Sequence, residues 1–133
     1  LLVTLKSENP AERAAAARTL GEIGPLARDG VGDLAAALTD GDRDVRRNAA
    51  QALGDIGPPA QPAAPALTAA LKDADWQVRR AAAYALGRLG TREVEPALKQ
   101  ARKDKHSSVK RAARASLEQI KKLPKPRKMT TAK

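Results

Sequence analysis

The sequence predicts an all-α fold, an α-solenoid of about four stacked helical hairpins. Two observations on composition and one on periodicity lead to this prediction. Hydrophobic residues make up 42% of the 133 positions, which is enough for a buried core. Aromatic residues make up only 2%, and alanine is abundant. Alanine favours helices, whereas sheets depend on β-branched and aromatic side chains.

A short motif recurs at a nearly constant spacing. Residues 49–57 return in similar form at 82–90, occur earlier at 16–24, and reappear in a worn version at 113–120. The central leucines of the copies are Leu20, Leu53, Leu86 and Leu117, separated by 33, 33 and 31 residues. Self-similarity at this period is typical of helical repeat proteins. Because one hairpin cannot bury its own apolar stripe, the copies are expected to stack side by side.

Each repeat is predicted to contain two helices, of which the second is the clearer. Val45, Ala49, Leu53 and Ile56 lie on one helical face, and the same pattern recurs in the later copies. The expected N-caps are Asn9, Asp42, Asp75 and His106. Left-handed C-caps are expected at Gly24, Gly57 and Gly90. The first helices are predicted over about 31–39, 63–72 and 93–103.

These elements divide the chain into a repeat array and a tail. The array is predicted over residues 1–121, and the basic tail over 122–133 is expected to be disordered. The four units are predicted at about 1–24, 31–57, 63–90 and 92–121.

The net charge of +10 is concentrated at one end of the chain. Residues 1–91 contain 11 basic and 11 acidic side chains, whereas residues 92–133 contain 14 basic and 4 acidic ones. Basic proteins commonly bind nucleic acid, so this class remains open for the C-terminal part. The neutral first two thirds do not support it.

Few catalytic or metal-binding groups are available. Cysteine is absent and His106 is the single histidine, which excludes disulfides, thiolate ligands and a two-histidine metal site within this chain. Residues 40–44 begin like a calcium loop, but Val45 and Gln51 replace the required Gly and Glu. We therefore expect no catalytic residue, cofactor or metal. No apolar run has the length of a membrane span. The sequence leaves the compartment unknown, with a cytoplasmic location favoured over others.

An aspartate followed six residues later by a basic residue precedes three of the alanine-rich Leu-Gly or Leu-Glu runs. The pairs are Asp40 with Arg46, Asp73 with Arg79, and Asp104 with Lys110. This pattern resembles the HEAT-repeat family, specifically the short bacterial type of the phycobilisome-lyase HEAT-like repeats. The resemblance implies a right-handed superhelix and a structural ladder of these side chains between adjacent repeats. The apolar residues near Leu1 suggest that further repeats precede it, within a longer array.

In that family the second helices line a concave face on which partners bind. The corresponding positions here, which we call the concave ridge, are Arg47, Gln51, Trp76, Arg80, Tyr84, Arg88 and Arg111. Aromatic residues and arginines are common in binding hot spots. An equally weighted interpretation is that Trp76 covers a seam between repeats and that Tyr84 is incidental.

The predicted function is a non-catalytic scaffold that binds a protein partner, of unknown identity, on the concave ridge. The alternative is nucleic-acid binding through the arginines Arg47, Arg80 and Arg111 together with the basic tail. A remote alternative is an accessory subunit of a lyase or another enzyme.

Overall fold

The computed structural model describes residues 4–125, and within this range it is helical with no β-strand. Its seven α-helices are α1 (Pro10–Ile23), α2 (Val31–Ala37), α3 (Arg43–Ile56), α4 (Ala64–Ala70), α5 (Trp76–Arg88), α6 (Glu95–Ala101) and α7 (Ser107–Lys121). Short 3-10 helices cover Thr4–Lys6, Gly24–Gly30, Pro58–Ala63 and Arg92–Val94. The predicted all-α solenoid is confirmed.

The helices form two layers. The long helices α1, α3, α5 and α7 pack each against the next to form one row. The short helices α2, α4 and α6 pack each against the long helix that follows in the chain. The core lies between the layers, where the motif leucines Leu53 and Leu86 are fully buried. The long helices therefore provide both one side of the core and one exposed face.

The long helices begin where the sequence predicts. The side chains of Asn9, Asp42, Asp75 and His106 each accept a backbone N–H of the following turn. In the last case, the acceptor is His106 Nδ1, which lies 3.1 Å from the Ser108 nitrogen. Each cap satisfies a donor that a helix N-terminus otherwise leaves without a partner.

The short helices are shorter than predicted, with seven residues each. None of the three has a side-chain N-cap, and the chain enters each of them directly from a 3-10 helix. Each also ends in i→i+3 hydrogen bonds, which tighten the last turn. In the first repeat, the first helix is represented among the described residues only by Thr4–Lys6.

Glycines cap the C-termini of α1 and α3, although not in the expected conformation. Gly24 and Gly57 have φ of 75° and 78°, with ψ of −142° and −140°. These values lie outside the left-handed helical region that the sequence predicted, in a region open essentially only to glycine. The backbone N–H of each glycine still bonds to the carbonyl of the motif leucine, Leu20 or Leu53.

A second set of glycines lies inside the long helices, at the closest approach of neighbouring members of the row. The three pairs are Gly21 with Ala52, Gly54 with Ala85, and Gly87 with Ser116. A Cβ atom built on Gly54 would lie 2.6 Å from Tyr84 Cε2 and 2.9 Å from Ala85 Cα. The Leu-Gly step of the motif therefore sets the spacing of the row.

The last repeat lacks this glycine. Its long helix, α7, is the last one within the described residues, so no further long helix packs against it there. Glu118 occupies the position of the seam glycines, and its side chain is exposed and lies 3.0 Å from Lys121 Nζ. Beyond α7, Leu123 packs against the core and its carbonyl accepts a hydrogen bond from Arg92. Part of the sequence-predicted tail thus contacts the array, and residues 126–133 lie outside the described residues.

We expect Gly54→Ala to lower the free energy of unfolding by about 1–2 kcal/mol. Overpacking costs about 1–3 kcal/mol, and the close contact of the added Cβ with the Ala85 backbone favours the upper part of this range, about 2–3 kcal/mol. The gain of about 1 kcal/mol from helix propensity offsets part of that cost. The matched control is Gly32→Ala in α2, where nothing lies within 4 Å of an added Cβ. Urea denaturation should show the control protein to be as stable as the unmodified chain or more stable. A Gly54→Ala protein that is more stable than the unmodified chain would contradict the conclusion that close packing of the long helices requires a glycine at this position.

Candidate functional site

The ladder residues join each repeat to the next. Arg46 Nε lies 2.9 Å from Asp73 Oδ2, and Arg79 Nε lies 2.9 Å from Asp104 Oδ2. In each pair, the arginine Nη2 donates a second bond to the other carboxylate oxygen, at 3.2 and 3.3 Å. Such bidentate pairs fix geometry as well as charge. The arginine of one repeat therefore pairs with the aspartate of the following repeat.

The aspartate of the same repeat also contributes to the ladder, through its backbone. Arg46 Nη1 donates to the Asp40 carbonyl oxygen at 2.9 Å, and Arg79 Nη1 donates to the Asp73 carbonyl oxygen at 2.9 Å. Each arginine thus holds the turn of its own repeat as well as the carboxylate of the next.

Sequence reasoning missed one member of the ladder. Arg13 Nε lies 2.9 Å from Asp40 Oδ2, in the geometry of the later pairs. Its position 33 residues before Arg46 is the signal that could have identified it. At the other end, Lys110 makes no ion pair with the part of the chain that the structure describes.

The pKa values of two ladder carboxylates, Asp40 and Asp104, are lowered. Hydrogen bonds from Arg13 lower the pKa of Asp40, and they outweigh the opposing effect of burial. Burial raises the pKa of Asp104, but the Arg79 hydrogen bond, the His106 backbone N–H and the nearby positive charges together bring that pKa below 3.8.

Four residues of the concave ridge lie along one side of α5, at intervals of one helical turn. The Trp76 ring stacks on His106, with the centroids 3.9 Å apart and the planes at 8°. Arg80 Cζ lies 5.5 Å from the Trp76 ring centroid, and Arg88 Cζ lies 5.8 Å from that of Tyr84. Arginines and aromatic rings therefore alternate and contact one another in pairs.

Tyr84 reaches across to the preceding long helix. Its hydroxyl donates to Asp55 Oδ1 at 2.6 Å, and its ring lies over Gly54. Burial, followed by the bond to Asp55, raises the pKa of the phenol above 10.0, so Tyr84 remains a neutral donor. Both aromatic residues of α5 thus contact neighbouring repeats while remaining only half-buried.

The other members of the concave ridge lie on α3 and α7. Arg47 Nη1 donates to Gln77 Oε1 at 3.0 Å and lies 3.3 Å from an Asp44 carboxylate oxygen. Gln51 Nε2 lies 3.4 Å from Asp55 Oδ1, and Arg111 is exposed on α7. Arg47 is therefore already engaged by polar groups, unlike Arg111.

Asp55, Gln77 and His106 belong to this surface but were not predicted as site residues. The repeat register is the signal that could have identified two of them. Asp55 occupies the position of Arg88 one repeat earlier, 33 residues before it, and His106 is the N-cap of the last long helix. Residues 4–125 contain no group of three His, Asp or Glu side chains arranged to hold a metal ion. No helix in this range is long and apolar enough to cross a membrane.

The two helical layers, the glycine seam and the Arg–Asp ladder define a helical repeat protein of the solenoid class. A family model described as HEAT repeats matches residues 1–71 and again residues 64–129. The chain therefore belongs to the HEAT-repeat family, which confirms the resemblance found in the sequence. A search of curated proteins found no match.

The solved structures that are similar to this chain include an engineered protein, a phycocyanin lyase complex and a designed armadillo repeat protein. An engineered protein shares 26% identity over 92% of this chain, with a TM-score of 0.77. The complex of CpcE and CpcF of phycocyanin lyase from Nostoc sp. PCC7120 shares 24% identity over 90%, with a TM-score of 0.62. A designed armadillo repeat protein shares 19% identity over 90%, with a TM-score of 0.71. The matches span 62%, 63% and 62% of those chains, respectively.

Proposed function

We propose that this chain is a non-catalytic scaffold that binds a protein partner through the concave ridge. The observation that carries the proposal is the fixed position of the two aromatic side chains. Trp76 is stacked on His106, and Tyr84 is hydrogen-bonded to Asp55. A partner would therefore meet anchors whose rotamers are already set, which reduces the entropy lost on binding.

The composition of the ridge agrees with this role. Tryptophan, tyrosine and arginine are the residue types most enriched in binding hot spots. Trp76 and Tyr84 remain half-buried, and Arg80 and Arg88 are exposed beside them. Trp76 and Tyr84 can therefore have two roles. One side of each ring packs against a neighbouring repeat, and the other side remains available to a partner.

Nucleic-acid binding through Arg47, Arg80, Arg111 and the basic tail is the second candidate. The charge of residues 92–133 favours it. Against it, Arg47 is engaged by Asp44 and Gln77, so the arginines do not form a continuous free stripe along the array. An accessory enzyme role remains the remote candidate, with the phycocyanin lyase complex as its structural analogy.

The protein-binding and nucleic-acid hypotheses predict different results for ridge variants and for removal of the tail. We expect Arg80→Glu and Tyr84→Ala each to abolish capture of the protein partner in affinity purification followed by mass spectrometry. Deleting residues 122–133 removes five positive charges, which changes the net charge from +10 to +5. Partner capture should survive this deletion, whereas weak binding to polyanions should be lost.

Arg28→Glu is the matched control, because Arg28 is exposed in a 3-10 helix and lies outside the ridge. Circular dichroism should show equal helix content in all variants. Tight binding of DNA by the tail-less protein at physiological salt would favour the nucleic-acid hypothesis instead.

A further inference from the structure

Ion pairing changes abruptly along the row of long helices. Every arginine of α1 and α3 lies within ion-pair distance of a carboxylate. On α5 and α7, only Arg79 does so, through the ladder. Among the described residues, Arg80, Arg88 and Arg111 on the concave ridge have no carboxylate within 4.0 Å.

The surroundings of these three arginines contain little negative charge. The sequence of α5 has no acidic residue, and that of α7 has only Glu118, which is paired with Lys121. The carboxylate that contacts Tyr84 in this part of the ridge is Asp55, which accepts hydrogen bonds from Tyr84 and Gln51. This part of the ridge therefore presents cationic groups that its own fold does not neutralise.

From this charge pattern we infer that the partner presents an acidic segment to Arg80, Arg88 and Arg111. The inference rests on the proposed protein-binding function and adds the chemistry of the partner. Guanidinium groups bind carboxylates in a bidentate manner, and the guanidiniums of Arg80 and Arg88 lie near aromatic rings that limit their freedom.

The spacing of the arginines defines the segment further. Arg80 and Arg88 are eight residues apart on one helix, which corresponds to about 12 Å. An extended peptide rises about 3.3 Å per residue, so acidic side chains about four residues apart match this distance. Arg111 lies on the neighbouring helix, roughly 8–10 Å to the side, where it would receive a third acidic group. An apolar residue between the acids would contact the exposed side of Tyr84.

A short acidic segment fits the ridge better than a nucleic-acid strand does. A strand that follows the row toward α1 would meet the carboxylates of Asp44, Asp55 and Glu22. Phosphodiester backbones need basic side chains along their whole path. A peptide that crosses only α5 and α7 avoids most of this negative charge.

The test is selection of a random peptide library against the full chain, followed by titration of the enriched peptides by fluorescence anisotropy. We expect enriched sequences with two acidic residues about four positions apart. Replacing these acids by their amides should weaken binding at least about fivefold, and Arg80→Gln/Arg88→Gln should do the same. Asp55→Asn should strengthen binding, because it removes a negative charge while retaining an acceptor for Tyr84.

The control double variant is Arg28→Gln/Arg102→Gln, which removes the same charge at exposed positions outside the ridge and should bind as the unmodified chain does. Non-acidic enriched peptides that lose binding on Trp76→Ala would overturn the inference but leave the proposed function intact. If ridge substitutions change the affinity of no enriched peptide, the inference and the proposed function both fail. An oligothymidylate that binds more tightly than any acidic peptide, through the same arginines, would overturn the inference in favour of nucleic acid.

Discussion

Replacing Leu53 or Leu86 by alanine is expected to lower the free energy of unfolding by about 2–5 kcal/mol. Both side chains are fully buried and lie in the middle of the row, with a repeat packed on each side. Truncation leaves a cavity that the surrounding helices can fill only in part, because the repeats packed on both sides hold these helices at a fixed spacing. Urea denaturation followed by circular dichroism would measure the loss.

The matched comparison is Leu117→Ala, the same substitution in the last long helix. Leu117 keeps 7% of its surface exposed and has packed neighbours on one side only among the described repeats. Its loss should therefore be smaller than that at Leu53 or Leu86. Equal losses at all three positions would contradict a core built by stacking of neighbours.

The repeat register made the long helices predictable. A cap at Asp42, an apolar face through Val45 and Leu53, and a terminal glycine at Gly57 all indicate the same helix. The short helices have no comparable side-chain cap, and their ends are 3-10 turns whose extent depends on packing against the long row. This explains why the predicted ranges 63–72 and 93–103 were too long.

The surface was less predictable than the fold, for a physical reason. Periodicity places Trp76 and Tyr84 on one side of a helix, but it does not report rotamers. The stacking on His106 and the hydrogen bond to Asp55 depend on how closely successive repeats approach. Arg13 could have been predicted from the register, because its partner Asp40 is the same residue type that Arg46 and Arg79 bind in later repeats.

The ladder should contribute strongly to stability where it is best shielded from water. We expect Arg79→Ala to lower the free energy of unfolding by about 3 kcal/mol at pH 7, because it leaves the Asp104 carboxylate poorly solvated and unpaired. The side chains of this pair are only 9% and 11% exposed. The substitution also removes donors to the carbonyl oxygens of Asp73 and Ala74. Arg43→Ala is the control, since Arg43 is 69% exposed and its pair should contribute less than about 1 kcal/mol.

The effect of Arg79→Ala should depend on pH in a defined direction. The pKa of Asp104 is below 3.8 in the folded chain, although burial alone would raise it, because bonds from Arg79 and His106 favour the ionised form. A lowered carboxyl pKa stabilises the fold above the unfolded pKa, and this stabilisation is lost as the pH falls through the folded value. The deficit of the variant should therefore be complete at pH 7 and shrink below about pH 4. Urea denaturation of both proteins at pH 7 and at a pH below about 4 would measure this deficit. A deficit that does not change with pH would show that the lost charge pairing is not its cause.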